Sequence, residues 1–287
     1  MNTAALKPVW MLSALLLVPL QSPPAPSAPS GIAPAGAAQQ PADPLDARYA
    51  EVQRDFNQAM AQWQKALDEA RKAGVERKDW PLPPHPQFWE RYAELARGGH
   101  LPASIWCLSA GSNLGEKRAP DASVIDLALA RVWREALIHD QAQLAGTLDA
   151  NSAAARYPVK EYLRLLRSQT MVLGGERTLA LYEQCFEQSV QKPSKALALL
   201  SKASFIGTQE SGFADPMPVV MEIYRELAEH YGDTESGQRA KGRLFRHERL
   251  QVGMQVPDYE SEDVEGVRFK LSDYSGKVIV LDFWGFW

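Results

Sequence analysis

The chain has 287 residues, 45% of them hydrophobic, and a formal net charge of −4. That is enough for one large packed domain or two smaller ones, and the mild acidity leaves no basic stripe for a nucleic-acid backbone. Two cysteines, Cys107 and Cys185, are too few for a disulfide framework or a four-ligand zinc site; no metal and no cofactor is expected.

Residues 1–20 read as an export signal. Lys7 supplies a positive start, and residues 9–20 form an apolar run of the length of a signal core, too short to span a bilayer comfortably. No cysteine follows, which argues against a lipid anchor. The expectation is a periplasmic or other extracytoplasmic protein, secreted or held at the membrane only by an uncleaved signal anchor. Residues 21–45 are rich in Pro, Ala and Ser and read as an extended, disordered tether.

From Asp46 the pattern changes. Tyr49, Val52, Phe56, Met60, Trp63 and Leu67 are spaced 3, 4, 4, 3 and 4, one apolar stripe on a helix. Gly74 and the prolines near residues 81–84 end it. A second helix is expected over 86–97, with Phe88, Tyr92 and Leu95 on one face, and a short apolar segment over 101–110. A long helix over 123–148 carries Leu127, Val132, Leu137 and Leu144 among its apolar positions. Further helices are expected over 159–173, 176–191, 193–206, 218–231 and 234–250. Nothing before Gln251 alternates like a strand. Residues 46–250 thus form an all-α domain. The stretch YRELAEHYGDTESGQRAKGRLF resembles the junction of tetratricopeptide-like helix pairs, but no repeat period of about 34 residues stands out. An irregular bundle and a degenerate repeat array both fit.

Residues 251–287 have another character. In order they hold Val252-Gly253, Pro257-Asp258-Tyr259, Asp263 with Gly266, Leu271-Ser272-Asp273-Tyr274, Gly276-Lys277 and Asp282-Phe283-Trp284-Gly285-Phe286-Trp287. Residues 267–271 fit a short hairpin strand, and the β-branched run 278–283 fits a central strand buried on both faces. The ordered pieces resemble the opening of a thioredoxin-like domain of the TlpA/ResA type, in the AhpC/TSA-redoxin superfamily. Val256 stands where that family usually has Ala, and Gly285-Phe286 where it has Ala and a variable residue. The fold class expected is therefore mainly α: an exported helical domain followed by the N-terminal β portion of a thioredoxin-like α/β domain.

The resemblance implies thiol–disulfide exchange with protein thiols and disulfides as partners. A thiolate at a helix N-terminus attacks a substrate disulfide, and the second Cys of a CxxC resolves the mixed disulfide. It also implies that the nucleophile stands just after Trp287, with Phe283, Trp284, Gly285, Phe286 and Trp287 flanking it. Three accounts fit a chain written as far as Trp287: a fragment, a UGA codon read as selenocysteine, or a genuine stop. As written, 1–287 lacks the redox motif and is expected to be inactive.

Cys107 and Cys185 lie among apolar and aromatic neighbours in the helical part, and either buried free thiols or a disulfide between them fits. The pairs His139-Asp140 and Glu229-His230 read as solvated helix faces. No metalloprotease, nucleophile-elbow or phosphate-loop motif occurs. The rival reading is a non-catalytic helical scaffold that binds other proteins.

Overall fold

The computed structural model describes residues 44–111, 114 and 120–282. The signal segment 1–20, the tether up to residue 43 and the motif residues Phe283, Trp284, Gly285, Phe286 and Trp287 lie outside the described residues. The fold is mainly α. Helix α1, Pro44–Lys72, begins inside the stretch expected to be tether, because proline is well placed in a helix's first turn. Its stripe buries Val52, Phe56 and Leu67 and leaves Tyr49, Met60 and Trp63 half-buried. Helices α2, His85–Arg97, and α3, Leu101–Ala110, pack beside it. Aromatic rings fill the join: Tyr92 stacks on Trp106 with centroids 3.8 Å apart, and Phe56 meets Phe88 edge-on at 5.4 Å. His100 caps α3 by accepting the Ala103 N–H at 3.2 Å, and its other ring nitrogen lies 3.0 Å from the Asp46 carboxylate on α1.

Helix α4, Ala122–Ala145, is opened by Asp121, which accepts the Ser123 N–H, and closed by Gly146 in the left-handed conformation at φ 69°. It stops three residues before 148, and not all of its apolar positions are buried. Leu127 and Leu144 are exposed. The face that packs is Ile125, Leu129, Val132, Ala136 and then Asp140, which is 1% exposed. So Asp140 is not on a solvated face. A short helix α5, Ala153–Arg156, follows, and half-buried His139 sits 3.0 Å from the Ala154 carbonyl. The single helix expected over 159–173 is two, α6, Val159–Ser168, and α7, Thr170–Leu173. The break falls at buried Gln169, whose amide turns aside to donate to the Leu108 carbonyl of α3 at 2.7 Å.

Helices α8, Gly175–Gln188, and α9, Lys192–Ile206, form an antiparallel pair. Helix α9 reads KPSKALALLSKASFI, with apolar residues around much of its girth, the pattern of a helix covered on several sides. Ala198 and Phe205 join the core formed with α1–α4, α6 and α8. Ala196, Leu199, Leu200, Ala203 and Ile206 join a second core with α10, Met217–His230, and α11, Glu235–Arg249. The N-terminus of α9 lacks a side-chain cap of its own. Asp140 reaches from α4 to the turn that leads into α9: its carboxylate accepts the Val190 N–H at 2.6 Å and the Gln191 N–H at 3.1 Å, just ahead of the helix, and the hydroxyl of Ser194 in its first turn. Between α10 and α11 the chain turns within a few residues. Thr234 caps α11 by accepting the Gly237 N–H at 3.1 Å, and a Cβ added at Gly237 would stand 1.9 Å from the Tyr231 carbonyl oxygen. Only glycine fits there.

After α11 come β1, Glu260–Glu262, and β2, Arg268–Lys270, paired antiparallel with Ser261 opposite Phe269. Strand β2 is shorter than the 267–271 expected. Residues 278–282, expected to be a central strand, form none, and Val278 and Val280 are 96% and 86% exposed. An apolar run becomes a strand only when another strand takes its backbone groups, and among the described residues none pairs with it.

Asp140→Ala is expected to cost about 2–4 kcal/mol, because it strips two amides and a hydroxyl of a charged acceptor at a buried helix start. Asp140→Asn keeps part of the cap and should lose less. Gly237→Ala should cost about 2 kcal/mol through overpacking. Urea unfolding of the three variants, with unchanged m-values, measures both effects.

Candidate redox site

Each piece of the C-terminal motif has a local task. Asp258 accepts the Ser272 N–H at 2.9 Å and the Ser272 hydroxyl at 2.7 Å, which ties the segment before the hairpin to the turn after it. Those bonds to the Ser272 hydroxyl and amide hold its carboxyl below the ordinary 3.8. Asp263 closes the loop between β1 and β2: one carboxylate oxygen accepts the Glu265 and Val267 N–H groups, each at 2.9 Å. Gly266 completes that loop at φ 82°, where a side chain is strained. Asp273 accepts the Lys270 N–H at 2.8 Å and starts the turn Leu271–Tyr274. Tyr274 packs edge-on against Phe269 at 6.1 Å, with the Lys277 ammonium 5.9 Å over its ring. The Leu271 N–H donates to the Tyr259 carbonyl at 3.1 Å. The spaced Pro-Asp-aromatic, Asp-x-x-Gly and Leu-Ser-Asp-Tyr pieces thus specify one hydrogen-bonded frame. A two-stranded hairpin is marginal by itself, and these side-chain bonds stabilise it.

The described cysteines are elsewhere. Cys107 lies on α3 and Cys185 on α8, both free and both fully buried in the first core. Burial pushes the Cys107 thiol up to about 12 from an ordinary 9.0, opposed by the Arg97 charge. Burial likewise pushes Cys185 up to about 12, with the Ser189 hydroxyl opposing and the Asp140 carboxylate adding to the rise. A thiol so placed holds its proton and presents no thiolate at neutral pH. Among the described residues no group of three His, Cys, Asp or Glu side chains is placed to hold a metal ion, and no helix is long and apolar enough to cross a membrane. The motif residues from Phe283 to Trp287 lie outside the described residues, so the frame is seen up to Asp282. Glu229 and His230 are exposed.

Sequence reasoning missed Asp140, although Ile125, Leu129, Val132 and Ala136 lead to it at spacings of 4, 3, 4 and 4. It also missed the pairing of Asp258 with Ser272, which no local spacing discloses.

No family model matches the chain, and no solved structure matches it. Among curated proteins, 47 residues are 34% identical to the thiol-disulfide oxidoreductase ResA of Bacillus thuringiensis subsp. konkukian (strain 97-27), covering 16% of this chain and 27% of that protein. Forty residues are 40% identical to the thiol-disulfide oxidoreductase ResA of Bacillus anthracis, covering 14% of this chain and 23% of that protein. The chain spans about a quarter of the length of these curated relatives. A short segment of it is therefore distantly related to the thioredoxin-like ResA oxidoreductases.

Asp263→Ala should speed hydrogen exchange at the Val267 amide roughly tenfold, about 1.4 kcal/mol of lost protection, read by NMR. The thiols make a second prediction. In the unfolded chain they deprotonate near 9.0, whereas in the folded chain they keep the proton to about 12, so the folded state binds more protons in that window. Their contribution to stability is constant below that window and falls as pH rises through it. Urea midpoints should decline from pH 9 upward, and the double variant Cys107→Ala/Cys185→Ala should decline less steeply between pH 9 and 10, the remaining slope coming from the buried tyrosines, which burial likewise raises above 10.0.

Proposed function

We propose that this chain carries the opening segment of an extracytoplasmic thiol–disulfide oxidoreductase, fused behind a helical module that positions protein partners. The observation that carries the reading is the frame built by Asp258, Ser272, Asp263 and Gly266. Its residues are the ones that the TlpA/ResA-type opening pattern places in this order. The partial identity to ResA proteins supports the same reading. In it, the run from Val278 leads through Phe283 and Trp287 to a nucleophile at the next position, either the first Cys of CxxC or a selenocysteine encoded by UGA. A selenol is more acidic and more nucleophilic than a thiol and suits the exchange. Export rests on the signal-like residues 1–20 and suits disulfide chemistry outside the cytoplasm. The substrates are disulfides or thiols of other proteins.

A second reading, a scaffold without catalysis, is favoured by one observation. Both described thiols are buried in the core of the helical module, so residues 44–282 bring no exposed cysteine to any redox partner.

Two measurements test these readings. Reading the DNA past the Trp287 codon should reveal a Cys codon or an in-frame UGA, then a second Cys codon within three residues. In an insulin-reduction assay the 287-residue chain should be inactive, and a chain extended through that motif should be active. Inactivity of both overturns the oxidoreductase reading in favour of the scaffold.

A further inference from the structure

The second core opens on one side into a groove of about 560 Å³. Its floor includes Met217 and Val220 from α10, and its walls carry Arg167 from α6 and Arg243 and Arg246 from α11. Arg243 lies over the Tyr224 ring at 5.3 Å and donates to the Tyr224 hydroxyl, which fixes its guanidinium at the wall. Most of the arginines near the α1 and α2 surfaces have a carboxylate partner: Arg48 pairs with Glu94, Arg91 with Asp55 and Arg97 with Asp121. The three groove arginines differ. Among the described residues no carboxylate comes within 4.0 Å of Arg167, Arg243 or Arg246, and Glu210 feels Arg167 only at longer range. Three like charges converge on one concavity of a chain whose net charge is −4. With no fixed carboxylate beside them among the described residues, they give the groove a positive potential that favours an anionic ligand.

We propose that this groove binds an extended acidic peptide segment of a partner protein, with carboxylates on the arginine walls and apolar side chains on the Met217–Val220 floor. A small anion would engage the walls and leave the floor unused. An apolar segment would leave the arginines unpaired. Alternating acidic and apolar side chains satisfy both, and the arginine fork binds carboxylates in pairs of hydrogen bonds. The proposal concerns the helical module alone and stands apart from the redox reading, so either can fail without the other.

The test titrates the full 287-residue chain against a fluorescein-labelled peptide of alternating Glu and Leu, by fluorescence anisotropy. A peptide of alternating Lys and Leu and a peptide of Glu and Gly are the controls. The Glu/Leu probe should bind tightest and weaken as salt rises. The double variant Arg167→Glu/Arg246→Glu should bind it about tenfold more weakly or worse. Both side chains are exposed, so the fold should survive, and circular dichroism checks it. Arg167→Gln/Arg246→Gln serves if the charge reversal unfolds the protein. Equal binding of the acidic and basic probes, or undiminished binding by the folded double variants, overturns the proposal. So does displacement by inorganic phosphate that matches displacement by unlabelled peptide, which would assign the groove to small anions. Binding of Glu/Gly as tight as Glu/Leu overturns the role of the floor.

Discussion

Asp140 is the constraint on which the helical module depends. It projects from the end of the buried face of α4 and gathers the two backbone amides just ahead of α9 together with the Ser194 hydroxyl in its first turn. A buried carboxylate is favoured here because it takes three hydrogen bonds from the turn and the first turn of α9, and the positive end of the helix dipole lies beside it. The Gln191 amide returns to the Asp140 carbonyl at 3.0 Å, so the joint is held from both sides. This ties the turn that starts α9 to the end of α4. With α9 placed, its two faces determine where α6 and α8 lie on one side and α10 and α11 on the other.

The C-terminal segment obeys a different rule. Its few described elements bury little, and Val252, Val264 and Val278 are almost fully exposed. Order there comes from side chains that replace backbone partners: Asp258 for Ser272, Asp263 for the loop amides, Asp273 for Lys270. These are short polar groups at turns, where local hydrogen bonds compete well with water. A motif of this kind can be read in a sequence because each of its letters is fixed by one bond.

That difference explains what could be read in advance. The α1 stripe was legible because its apolar positions are large and separated by polar ones. In α4, Ala and Leu occur around much of the helix, so the pattern allows more than one face, and naming its apolar positions does not say that Ile125 is buried and Leu127 exposed. Asp140 was misread for a physical reason: an isolated carboxylate avoids the interior, and the groups that make its burial favourable lie 50 residues away in Val190 and Gln191. The break at Gln169 carries no proline or glycine to announce it, and the bond its side chain makes there is to the Leu108 carbonyl on another helix. The run 278–282 has the composition of a strand, but strand formation depends on partners that composition does not name. The motif in 257–277 was legible as a pattern, whereas the task of each residue lies in bonds that join positions far apart in the chain, such as Asp258 to Ser272.

The sharing of α9 between two cores has a consequence for how the module comes apart. A boundary between separately stable units falls where few contacts cross. Here the would-be boundary is itself a buried helix, and whichever core melts first removes one wall of the other. Six helices on one side and two on the other are thereby coupled into a single cooperative unit, so thermal denaturation reports one transition for the module rather than two.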